Sequence, residues 1–171
     1  MHIHYAIACI SLFGAITIAN AQSDPAARYS LRPEHRPFTN NDFAEALSKT
    51  SINRSYDQLP AAERQRLRDQ YVGMREDDEP PFPRDGLEPL LDAVLRAYGR
   101  LAQKQIAGTL DIEVIVDADG NATTVNAYKS PNGQLLSVVA SIAMLTKYKP
   151  ASCEGVPCRM SFPLRLEFVL K

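Results

Sequence analysis

The sequence predicts an α+β fold, a small sheet covered by helices on one face, preceded by a small helical N-terminal segment. Three observations carry this. Two runs, within 87–102 and 135–143, repeat their apolar residues at three- and four-residue spacing. Two other stretches, 109–117 and 159–170, alternate apolar with polar side chains, the mark of strands with one covered face. Asp119-Gly120 closes the first of these, and that dipeptide is favoured in a two-residue type I′ hairpin.

At 171 residues and 45% apolar, the chain can form one ordinary domain with an appendage at one end. A net charge of -1 gives no clustered basic face, which excludes nucleic acid as an expected partner. Residues 1–21 lack Asp, Glu, Lys and Arg, run apolar from Tyr5 to Ala19 and end in Ala19-Asn20-Ala21. This reads as a secretory signal cut before Gln22. The rival is an uncleaved inner-membrane anchor, because the apolar run approaches the roughly 20 residues that span a bilayer. Membrane contact is expected only in that case.

Cleavage leaves Cys153 and Cys158 in an exported chain, where a local disulfide is expected. The one remaining histidine, His35, is too few for zinc. Asp117, Asp119 and Gly120 resemble part of a calcium loop but lack its further acidic ligands. No metal and no cofactor is expected.

Taken in order, residues 22–39 are polar and proline-punctuated, an irregular leader. Residues 40–79 form the helical segment. It holds a brief helix around Phe43, Ala46 and Leu47, then a longer one starting at Pro60 with Leu59, Leu67 and Tyr71 in one column. The run EDDEPPFP, 76–83, halts helix and reads as an extended linker, with the domain boundary at 80. The main helix follows, with Leu87, Leu90, Leu91, Val94, Leu95, Tyr98 and Leu101 on one face and Gly108 as its stop. If the hairpin holds, Val114 faces Val125 and Ile112 faces Ala127. A second helix through Leu135, Leu136, Val139, Ala140 and Ala143 covers the same sheet and ends before Pro150. The last strand puts Met160, Phe162, Leu164, Leu166, Phe168 and Leu170 on one face. Arg159, Ser161, Pro163, Arg165 and Glu167 take the other. Pro163 lacks an N–H, which marks an edge strand.

The order helix, strand, Asp-Gly hairpin, strand, helix, loop, terminal strand resembles the C-terminal domain of the TonB energy-transducer family across residues 80–171. The matching text is PPFP, GTLDIEVIVDADGNATTVNAYKSPNG, LLSVVASIAMLTKYKPA and GVPCRMSFPLRLEF. The resemblance implies a three-stranded antiparallel sheet packed by two helices, in a periplasmic protein. It also implies that the last strand pairs with an extended segment of an outer-membrane transporter or another envelope protein. The partner-binding residues would then be Arg159, Ser161, Pro163, Arg165 and Glu167, by strand addition. Pairing with a second copy of itself is the alternative partner.

A working transducer needs an anchor that couples to a motor and a long Pro/Lys-rich arm. Here helical sequence stands where that arm would be. The expectation is therefore a non-catalytic binding module. A membrane-anchored transducer and a structural envelope scaffold are the alternatives. No enzyme is expected: no catalytic residues, G-x-S-x-G or P-loop can be read. Asp111 and Glu113 are read as lying on opposite faces of one strand, and so not as a carboxylate pair.

Overall fold

The computed structural model describes residues 28–31, 51–101 and 106–168. In order they form a 3-10 turn at Tyr56–Gln58, α1 (Ala61–Arg68), β1 (Phe82–Pro83), α2 (Glu88–Leu101), β2 (Gly108–Val116), β3 (Ala122–Lys129), α3 (Gly133–Leu145), β4 (Tyr148–Lys149), β5 (Ala151–Cys153), β6 (Val156–Cys158) and β7 (Met160–Phe168). The fold mixes helix with antiparallel strands. β2 is central in a three-stranded sheet of order β3-β2-β7, and β1-β4 and β5-β6 are small separate ladders. The expected signal segment, and the brief helix expected near Phe43, lie outside the described residues. No described helix is long and apolar enough to cross a membrane.

Alternation decides which face of the sheet is inner. Leu110, Ile112, Val114 and Val116 of β2 and Phe162, Leu164 and Phe168 of β7 share one core with Leu90 and Val94 of α2 and Leu135, Val139 and Ala143 of α3. α3 is started by Asn132, whose side chain accepts the Leu135 N–H at 2.7 Å, a standard way to satisfy an orphan helix donor. Leu95 does not join the core; it is 62% exposed. At about 100° per residue it falls on the rim of the stripe centred on Leu87, Leu90 and Val94.

The β2-β3 hairpin differs from its expected form. The loop contains Ala118, Asp119 and Gly120. Gly120 N–H bonds to Asp117 O at 3.1 Å and Asp117 N–H to Asn121 O at 2.9 Å. Gly120 alone has positive φ, +81°, so the turn is the three-residue kind and not type I′. A third residue in the loop moves the register by one. An extra residue on β3, Thr123, moves it back, so that Val114 still faces Val125 and Ile112 faces Ala127.

The expected boundary at 80 does not separate two cores. Tyr56, Leu59, Leu67 and Phe82 belong to the same cluster as the sheet residues. The Phe82 ring lies 6.1 Å from Tyr56 and 6.3 Å from Phe162, with the latter pair edge-on. From Asp78 onward EDDEPPFP is therefore a buried strap, not a linker: Asp78 and Phe82 are 0% exposed, while Glu76 and Asp77 stay exposed. Its prolines do keep it extended, which is the conformation that lets Phe82 pair with Lys149 and Glu79 with Ser152. Phe82→Ala should cost about 4 kcal/mol, the range for deleting a buried aromatic, read from urea unfolding.

Candidate binding edge

β7 pairs with β2 from Met160 opposite Val116 to Phe168 opposite Gly108. Among the described residues no strand flanks it on the other side. The backbone alternates in such a ladder, and the Ser161 carbonyl points away from β2, since it accepts the Tyr71 hydroxyl at 2.7 Å. Pro163 shares that parity, so its missing N–H costs the ladder nothing.

The first part of this flank is closed by the chain itself. Ser161 is 6% exposed and Pro163 is buried. Leu67, Tyr71, Pro80 and Phe82 gather around Phe162 and Pro163, wrapping segment 67–82 past the edge. Burial pushes the Tyr71 hydroxyl well above its ordinary pKa, so it stays a donor. Ser161 and Pro163 were expected to meet a partner. They meet the protein's own core instead, because the outer face of the sheet is covered here as well.

Beyond Pro163 the edge is less enclosed. Arg165 is half-buried and Glu167 exposed. Both turn to β2. Arg165 Nε lies 3.4 Å from Asp111 Oδ1, and the Thr109 hydroxyl donates to Glu167 at 2.8 Å. Lys129 Nζ reaches the Thr109 hydroxyl at 3.3 Å, joining all three strands of the sheet in one polar strip. Asp111 is 0% exposed. Burial raises its carboxyl above the ordinary range, and Arg165 and Lys129 offset this only in part. Glu113 accepts from the Tyr128 hydroxyl at 2.7 Å.

Asp111 and Glu113 thus share the outer face, contrary to expectation, because a period of two sets i and i+2 together. Asp111 has Arg165 beside it, whereas Glu113 accepts from Tyr128 and Asn126. Thr109, Asp111 and Lys129 were missed as edge residues. Thr109 and Asp111 stand opposite Glu167 and Arg165, and Lys129 stands opposite Asp111 on the far side of β2. Arg159, the first of the expected partner residues, is half-buried just after the disulfide.

Cys153 and Cys158 form the expected disulfide, Cα atoms 5.9 Å apart, across the β5-β6 hairpin. Glu154 and Gly155, at φ 54° and 78°, make the two-residue loop with both residues left-handed, so type I′ chemistry sits here. The hairpin packs in a second core with Leu31, Tyr71 and Met160. Reduction should cost about 2 kcal/mol, the loop-closure value for so short a ring, seen as a lower urea midpoint in reductant.

Asp78 clasps this hairpin, accepting the Glu154 N–H at 2.6 Å and the Tyr29 hydroxyl. Burial opposes its ionisation, but those hydrogen bonds, with Arg75 and Arg28 nearby, hold the carboxyl below its ordinary range. The sign follows from a depressed native value: the stabilisation is complete above the unfolded-chain pKa of about 3.9 and is lost as pH falls through the native one. Asp78→Asn should flatten the acid limb of stability against pH.

A hollow of about 400 Å³ lies between the start of α2 and the end of α3, walled by Pro89, Leu90, Ala93, Ile142 and Leu145, with Asp85 and Lys147 among its ionisable lining. Among the described residues no cluster of His, Cys, Asp or Glu suits a metal ion. No family model, curated protein or solved structure matches this chain.

Proposed function

We propose that the protein is a non-catalytic, exported, TonB-like binding module that adds an extended segment of another envelope protein to the β7 side of its sheet. One observation carries the reading: among the described residues β7 ends the order β3-β2-β7, and past Pro163 its outer side chains become more accessible, Arg165 half-buried and Glu167 exposed. The docking stretch is then Leu164 to Phe168, with Glu167 as its most accessible side chain. The resemblance of residues 80–171 to the TonB C-terminal domain supports the same mode, in which main-chain hydrogen bonds supply affinity and alternate side chains supply choice.

A photo-crosslinking residue at Glu167 in cells tests this, with the exposed Leu95 as control. Adducts are expected at Glu167 and not at the control. Equal adducts at both, or none at Glu167, defeat the reading, and an adduct of twice the chain mass assigns the edge to a second copy. Mass spectrometry of the mature N-terminus checks export, with Gln22 expected first.

A further inference from the structure

We infer that the cleft between segment 71–78 and the β5-β6 hairpin is a peptide-binding surface for an extended segment of pattern Arg-Tyr-x-Leu, occupied here in cis by the chain's own residues 28–31. Each position of that segment has its own counterpart far away in the sequence. Arg28 pairs with Glu154, and the Tyr29 hydroxyl donates to Asp78. The Ser30 carbonyl accepts the Val72 N–H at 2.8 Å, and Leu31 forms a β-bridge with Tyr71. Leu31 is 5% exposed, in a socket that includes Ala151, Cys153 and Met160.

Arg28 and Ser30 are exposed, Tyr29 half-buried and Leu31 buried, the period of two of an added strand. These are the elements of strand-addition recognition: a main-chain pairing for affinity and alternate pockets for choice. The selective element is Asp78, wholly buried, with one oxygen on the Glu154 amide and the other on the Tyr29 hydroxyl. A guest with phenylalanine at that position leaves the second oxygen short of a donor, and sites built around a hydroxyl reject its absence strongly. The partner is therefore a segment of another polypeptide carrying a basic residue, a tyrosine, any residue and an aliphatic one, in competition with 28–31. The surface is distinct from the Leu164 to Phe168 stretch, so the two readings stand or fall separately.

The test uses the full chain. Arg28→Ala with Leu31→Ala weakens the cis segment while leaving Asp78 and the hairpin intact. A fluorescein-labelled peptide of residues 26–33, AARYSLRP, is titrated by anisotropy. Binding to the double variant is expected to be at least about tenfold tighter than to wild type, and the Tyr-to-Phe peptide at least about tenfold weaker than its parent. Equal affinity for the two peptides overturns the proposal. So does absence of binding by a variant whose β7 amides keep wild-type hydrogen-exchange protection. A wild-type chain that dimerises, with the dimer lost in the double variant, reassigns the cleft to a second copy's 28–31 and overturns cis occupancy. Where the variant loses its β7 protection, the wild-type chain decides: a spin-labelled peptide in excess must broaden the Tyr71 and Val72 amide signals, and unchanged signals overturn the proposal.

Discussion

Gly120→Ala is expected to destabilise the protein by about 3 kcal/mol, from left-handed strain and a backbone clash together. The residue sits at φ +81°, and an added Cβ would lie 2.2 Å from the Tyr148 carbonyl oxygen and 3.2 Å from its carbon. Neither atom belongs to a side chain that can rotate away. The Tyr148 N–H bonds to Gly120 O at 3.0 Å, so the hairpin loop and β4 are stitched at this point. Tyr148 is itself fully buried, its ring 5.6 Å from Phe162. Relieving the clash would therefore pull an aromatic anchor out of the core. Gly73→Ala is the control: its φ is also positive, +64°, but nothing lies within 4 Å of the added carbon. It should lose only about 1 kcal/mol. Urea unfolding of both variants separates strain from contact, and equal losses would show that the approach of Tyr148 is not tight.

Arg165→Ala is expected to cost about 3 kcal/mol at neutral pH, because it strands a buried carboxylate. Asp111 is 0% exposed with Arg165 3.4 Å away, and its own carboxyl is already raised by burial. For an acid whose native pKa lies above its unfolded value, the neutral form favours folding. Stability then falls as pH rises from the unfolded value through the native one, and the penalty is full above both. Removing Arg165 deepens and widens that fall. Asp111→Asn in the same chain should recover most of the loss and abolish its pH dependence, a coupling that a double-mutant cycle reads directly. A loss unchanged by Asp111→Asn would mean that Arg165 acts through packing alone. Arg165→Glu is accordingly a poor probe of partner binding, since it sets like charges around Asp111. Glu167 changes the edge with less damage.

Much of the sheet was legible in the sequence because alternation is a local signal. The inner face of β2 and β7 followed from it, and the pairing of Val114 with Val125 was expected from the hairpin. The register came out right although the loop was longer than expected, since the surplus at Thr123 cancels the surplus in the turn. What was not legible is long-range. The acidic, proline-rich stretch around Asp78 has the composition of a linker, and its burial depends on Tyr29 and on a hairpin that comes much later in the chain. The candidate edge suffered for the same reason. Ser161 and Pro163 sit on the polar side of an alternating strand, and only the wrapping of Tyr71 and segment 80–82 puts them inside. Arg165 was expected to face a partner, and its counterpart within the chain, Asp111, lies on a neighbouring strand.

β3 carries surplus residues opposite β2 near both its ends, at Thr123 and again at Tyr128. Such irregularities coil a border strand away from any flat neighbour, a common safeguard against runaway stacking. Fibre growth requires compatible borders left and right, and here one of them is warped. At high concentration the molecule should therefore close off as discrete complexes and resist polymerising into amyloid-like ribbons.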